Sequence, residues 1–113
     1  MIVDAHHHLW GLGQGYTWLD DPALAPIRRT FTPADLQAEL AAAGVDRTVL
    51  VEGGRCDPAE ADLLLSHAAS TPQIAGVVAW ADPVAPELPA GDLLVGIRSQ
   101  VQAEAADYLD RAD

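Results

Sequence analysis

The chain has 113 residues, half of them hydrophobic and a fifth charged, which is the composition of one packed domain and not of a disordered segment. All six basic residues are arginine and stand against 17 acidic ones, a formal net charge of −11, so phosphate backbones and anionic lipid surfaces are repelled and neither nucleic acid nor membrane is an expected partner. The single cysteine, Cys56, forms no internal disulfide, and neither a membrane-length apolar run nor a signal peptide is present, so a soluble, cytoplasmic protein is expected.

Met1 to Ala5 is apolar, with β-branched Ile2 and Val3, and runs directly into His6, His7 and His8; it reads as a buried strand. Alternate residues of an extended chain share a face, so His6 and His8 project together and His7 projects the other way. Two imidazoles on one side can converge on zinc or a similar first-row ion. Spacing alone equally allows two strand-end histidines satisfied by hydrogen bonds. Asp4, two residues before His6, is placed either to orient the histidines from behind or to accept backbone N–H groups.

From Gly11 to Phe31 three glycines, two prolines and scattered aromatics show no periodicity, and a long loop is expected. Its "GLGQGY" opens no periodic helix and is not read as a nucleotide loop. Thr32-Pro33-Ala34-Asp35 is a helix start, with a hydroxyl cap, proline at the first helical position and a carboxylate at the third. Leu36, Leu40 and Ala43 would form its inner face, and Gly44 its end.

"RTVLVE", Arg47 to Glu52, is a second strand ended by Gly53-Gly54. Cys56 lies just beyond it with no adjacent base and is read as a bystander thiol. Asp57-Pro58-Ala59-Glu60 starts a second helix whose apolar face is Ala61, Leu64, Leu65, Ala68 and Ala69; His67 lies off that stripe and is expected in solvent. Strands follow at Ile74 to Trp80 and Leu93 to Ser99. Between them Pro83, Pro86, Pro89 and Gly91 leave no room for a helix.

Apolar strands alternating with helices give an α/β class, a parallel sheet covered on both faces. Arg98, closing strand four, would then reach the same rim as the histidines and could clamp a carboxylate or carbonyl, the alternative being a surface ion pair with one of the many acids. The chain ends at "AEAADYLDRAD" with no fifth strand, which leaves the last edge open to pairing.

Together "IVDAHHHLW", "YTWL", "LAPIRRTFTPADLQAELAAAGVDRTVLVE", "IAGVVAWADP" and "LVGIRSQVQ" resemble amidohydrolase family 2, the branch of the amidohydrolase superfamily that contains sugar-lactone hydrolases. The specific parts are the H-x-H ending strand one and the G-I-R ending strand four. The resemblance implies a (β/α)8 TIM barrel with its active site at the C-terminal strand ends, of which residues 1–113 would be a single, N-terminal part of about four strands. It further implies His6 and His8 as ligands of a divalent metal, zinc or manganese, although a metal is not universal in this branch. Arg98 and Gln102 match residues that contact substrate. The implied reaction is hydrolysis of a small lactone, or a related ester or amide, by an activated water. Ser99 stands where the family commonly has histidine, and the remaining ligands and the catalytic carboxylate of the family lie on strands five to eight. The alternative is a non-catalytic half-barrel that binds a partner or self-associates as a homo-oligomer.

Overall fold

The computed structural model describes residues 1–84 and 87–100. Its elements are β1 (Val3–His7), two 3₁₀ turns (Thr17–Asp20 and Pro22–Ile27), α1 (Pro33–Ala43), β2 (Arg47–Val51), α2 (Ala59–Ser70), β3 (Ile74–Trp80) and β4 (Leu94–Arg98). The four strands form one sheet in the order β1-β2-β3-β4, every neighbouring pair parallel. Consecutive order with parallel pairing places all four C-terminal strand ends on one rim. The expected α/β class and the four strands are present, and the described residues between β3 and β4 hold no helix.

α1 begins as its sequence requires. Thr32 and Asp35 form a reciprocal capping box: the Thr32 hydroxyl accepts the Asp35 N–H at 3.2 Å and the Asp35 carboxylate accepts the Thr32 N–H at 2.9 Å. These bonds hold the exposed Asp35 carboxyl below the usual carboxylate range. Gly44 ends the helix at φ +70°, in the left-handed region. At the start of α2, Asp57 accepts the Ala59 N–H at 2.9 Å.

The core is built on β2, β3 and α2. Leu50, Ile74, Val77 and Ala79 pack with Ala61, Leu64 and Ala68, and Leu36, Leu65 and Phe31 close its border. The expected helix faces are therefore partly right: Leu40 and Leu64 are buried, but Ala43 and Ala69 are exposed. His67, expected in solvent, is half-buried, and desolvation lowers its pKa.

Three further expectations are corrected. β1 is not buried: Val3 is 49 % exposed, and Met1 and Ile2 just before it are 94 % and 58 % exposed. Coverage on both faces also fails at the opposite edge, where Val95 and Ile97 of β4 are exposed. An outer strand has a neighbour on one side only, so continuous apolar character cannot bury it without a further strand alongside. Finally, the segment from Gly11 to Phe31 is not wholly irregular. Asp21 accepts the Ala23 N–H at 2.9 Å and Pro22 starts the second 3₁₀ turn. Arg28 holds the carbonyls of Leu19, Asp20 and Asp21 at 2.7 to 3.0 Å.

Leu64 is fully buried at the centre of the core. Leu64→Ala is expected to destabilise the fold by about 2–5 kcal/mol, and Thr32→Ala, which removes only the cap, by about 1 kcal/mol. Urea unfolding followed by circular dichroism measures both, and a reversed ranking would contradict this account of the core.

Candidate active site

The rim at the C-terminal strand ends carries the histidine pair. His6 Nε2 and His8 Nε2 stand 3.2 Å apart, with the rings edge to face at 4.9 Å and 80°. The period-two geometry thus brings the two imidazoles to one point. His7 turns to the α1 side, into a separate cavity of about 330 Å³, where burial lowers its pKa against the opposing pull of Asp4. Asp4 itself accepts the His6 backbone N–H at 3.0 Å.

The tautomers follow from the partners. His8 Nδ1 lies 3.0 Å from the Val51 carbonyl, which can only accept, so Nδ1 carries the proton and Nε2 presents a lone pair. Arg98 Nη1, which can only donate, lies 3.4 Å from His6 Nε2. The one Nε2 lone pair of His6 serves either that donor or a cation, and His6 Nε2 stands 3.2 Å from His8 Nε2. Two nitrogens each 2.0–2.1 Å from one tetrahedral zinc ion stand roughly 3.4 Å apart. The donor set therefore fits two adjacent ligands of a single cation. No cluster of three or more such ligands exists among the described residues.

Arg98 reaches the pair under restraint. Its Nε donates to Glu52 Oε1 at 2.7 Å and its Nη2 to the Glu52 carbonyl at 3.0 Å. Glu52 is fully buried, and it also accepts from Gln100 Nε2 at 3.1 Å and from the Gly54 N–H at 2.7 Å. Sequence reasoning passed over Glu52. The available signal was a carboxylate closing an otherwise apolar strand immediately before two glycines. Gln102, the other expected substrate contact, lies outside the described residues.

The turn after β2 is gripped from both sides. Glu60 Oε2 accepts the Gly53 N–H at 2.9 Å, while Trp18 Nε1 donates to the Gly53 carbonyl at 2.8 Å. A Cβ at Gly53 would stand 2.8 Å from Tyr16 Cε1, and Gly54 has φ +88°, so both positions require glycine. Burial raises the pKa of Glu60, with a further push from Glu52, and burial beside Glu60 drives the Tyr16 phenol far above its ordinary range. Trp18 meets Trp10 edge to face at 5.1 Å, and Trp10 stacks toward His8 at 6.3 Å. His8, Trp10, Trp18, Gly54, Cys56 and Gln100 line a cleft of about 400 Å³ beside the histidine pair. Cys56 is exposed there at φ +60°.

No family model matches the chain. Among curated proteins it is 37 % identical over 90 residues to L-fucono-1,5-lactonase of Burkholderia ambifaria, a match covering 78 % of this chain and 30 % of the relative. It is 30 % identical over 120 residues to L-fucono-1,5-lactonase of Burkholderia multivorans, covering 98 % and 40 %. Among solved structures, an amidohydrolase from Burkholderia multivorans with bound zinc superposes with a TM-score of 0.81 at 29 % identity, over 96 % of this chain and 39 % of that one. Amidohydrolase 2 from Bifidobacterium longum subsp. infantis superposes with a TM-score of 0.69 at 28 % identity, over 98 % and 46 %.

The chain belongs to the amidohydrolase superfamily. It spans less than half the length of these relatives. Its four consecutive parallel strands are the N-terminal portion of an amidohydrolase (β/α)8 barrel, and its histidine rim lies at the strand ends where such barrels place their chemistry.

Glu60 sets a pH dependence for this amidohydrolase segment. A carboxyl whose folded pKa lies above its ordinary 4.5 binds protons more readily folded than unfolded. Its contribution is fully present below 4.5 and is lost as pH rises through the folded value. Glu60→Gln keeps an acceptor for the Gly53 N–H and removes the titration. Its stability relative to wild type is expected to rise between acid and neutral pH in urea unfolding; a difference constant with pH would refute this assignment.

Proposed function

We propose that the chain supplies the strand-one to strand-four share of the active site of a hydrolase that opens a small sugar lactone in the cytoplasm. The observation that carries this reading is the convergence of His6 Nε2, His8 Nε2 and Arg98 Nη1 at one rim, next to an aromatic-walled cleft. The names of the two L-fucono-1,5-lactonases support the lactone class, and the zinc in the Burkholderia multivorans structure supports a divalent ion. A related ester or amide would suit the same chemistry.

His6 and His8 would hold the ion, zinc or manganese. When bound, such an ion supplies Lewis acidity toward a carbonyl and lowers the pKa of a coordinated water. The protein side chains do the rest of the work on this rim. The Val51 carbonyl fixes the His8 tautomer that keeps Nε2 unprotonated. Asp4 ties down the backbone at His6. Arg98 presents Nη1 to an oxygen of the lactone, as a carbonyl before hydrolysis and as a carboxylate after it, and the charge-assisted bond strengthens as negative charge develops. Gln102 is assigned to the same substrate. Trp10 and Trp18 offer aromatic surface to the apolar face of a sugar ring. No general base is assigned among the described residues.

Hydrolysis of aldono-1,5-lactones, followed in a pH-stat with the purified protein and added zinc or manganese, tests the proposal. His6→Ala and His8→Ala are each expected to lower kcat/KM by about 100-fold or more, whereas His67→Ala leaves it unchanged. Failure to hydrolyse any lactone, ester or amide would overturn it.

A further inference from the structure

Among the described residues, Glu52 is the one fully buried carboxylate tied to the histidine rim, and the proposed reaction gives it no role. Three protein donors occupy its carboxylate: Oε1 takes Arg98 Nε and Gln100 Nε2, and Oε2 takes the Gly54 N–H. A carboxylate so committed does not ligate a cation itself. Its grip on Arg98 is side-on, through Nε to the carboxylate and Nη2 to the backbone carbonyl. Nη1 is left pointing at His6 Nε2, 3.4 Å away.

That placement creates an electrostatic difficulty. A guanidinium is always charged, and here it adjoins the Nε2 atoms of the two imidazoles. A divalent ion at that point would face a unit positive charge at close range. Glu52 lies on the far side of the same guanidinium, 2.7 Å from Nε.

We propose that Glu52 is a positioning residue for the rim: it aims Arg98 Nη1 at the histidine pair and cancels the guanidinium charge that would otherwise oppose a divalent cation there. The cation half of this inference rests on the reading of His6 and His8 as ligands. Retaining Arg98 with its charge balanced lets one rim hold both a cation and a donor for the oxygen bound to it. With Glu52 neutralised, the same arginine becomes a competitor of the ion.

The test uses the 113-residue chain, zinc titration by calorimetry, and the variants E52Q, R98M and E52Q/R98M, with H6A as the control for the site. E52Q is expected to weaken zinc binding by roughly tenfold or more, and the double variant to return to within about threefold of wild type, because the uncompensated charge is gone. If Glu52 only braces the Gly54 turn, E52Q and the double variant lose affinity equally, and that result overturns the charge-cancelling role. The second readout is the Arg98 Nε–H resonance, assigned by its absence in R98M. In wild type it should be displaced from those of solvated arginines and slow to exchange, and in E52Q it should join them. An unchanged resonance in E52Q overturns the positioning role whatever zinc does. A wild-type chain that takes up no zinc overturns the cation reading and the charge-cancelling half together, while the resonance still decides the positioning half.

Discussion

The Glu52–Arg98 ion pair is the constraint on which the site geometry rests. It joins the ends of β2 and β4, which are not neighbours in the sheet. Parallel strands stand about 4.8 Å apart, so in a flat sheet β1 and β4 would be separated by roughly 14 Å. Yet Arg98 from β4 lies within 3.4 Å of His6 from β1. Long side chains close part of that distance, and the coiling of a parallel sheet toward a barrel closes the rest. Because Glu52 is fully buried, removing Arg98 would leave a buried charge without its counter-ion, which costs far more than an exposed ion pair gains. The pair thus specifies where the arginine sits more than it stabilises the fold.

The sequence made some of this visible and hid the rest for identifiable reasons. The helix start at Thr32, the Gly44 stop and the opposite facing of His6/His8 and His7 are local properties, set within a few residues, and all three were legible. So was the class, because alternation of apolar strands with helices is itself a local pattern. Strand exposure was not legible. Burial of Ile2, Val95 or Ile97 depends on what lies beside an edge strand, which no window of sequence contains. Glu52 was passed over for the same kind of reason, since its partners Arg98 and Gln100 are 46 and 48 residues away. Recognising the family by its H-x-H and G-I-R motifs located the rim without revealing what holds it.

Two carboxylates act in concert on the turn between β2 and α2. Glu52 takes the Gly54 N–H and Glu60 takes the Gly53 N–H, so successive peptide groups are held by separate buried acids. The arrangement resembles a cap, but it carries a cost that a hydroxyl cap would not. Desolvation raises the pKa of Glu60, with Glu52 adding to the effect against the Tyr16 and Gly53 hydrogen bonds and the more distant charge of Arg55. The two acids therefore differ in kind. Glu52 is balanced by a guanidinium, whereas Glu60 is sustained mainly by backbone N–H donation and the adjoining Tyr16.

That difference links the core to the cleft. Glu60 belongs to the buried face of α2 and holds Gly53; Gly53 accepts the Trp18 indole; Trp18 packs on Trp10, and Trp10 on His8 and Phe31. The segment from Gly11 to Phe31 is therefore fixed at three places: by Trp18, by the carbonyls gathered on Arg28, and by the Phe31 N–H bonded to the Trp10 carbonyl at 2.9 Å. A loop so anchored is a standing wall of the cleft and not a lid. It also means that the two sides of the cleft answer to different acids. Glu52 governs the charged side, through Arg98, and Glu60 governs the aromatic side, through Gly53. Glycines at 53 and 54 are required because both controls pass through the same two peptide groups, where a side chain would either meet Tyr16 or oppose the left-handed backbone.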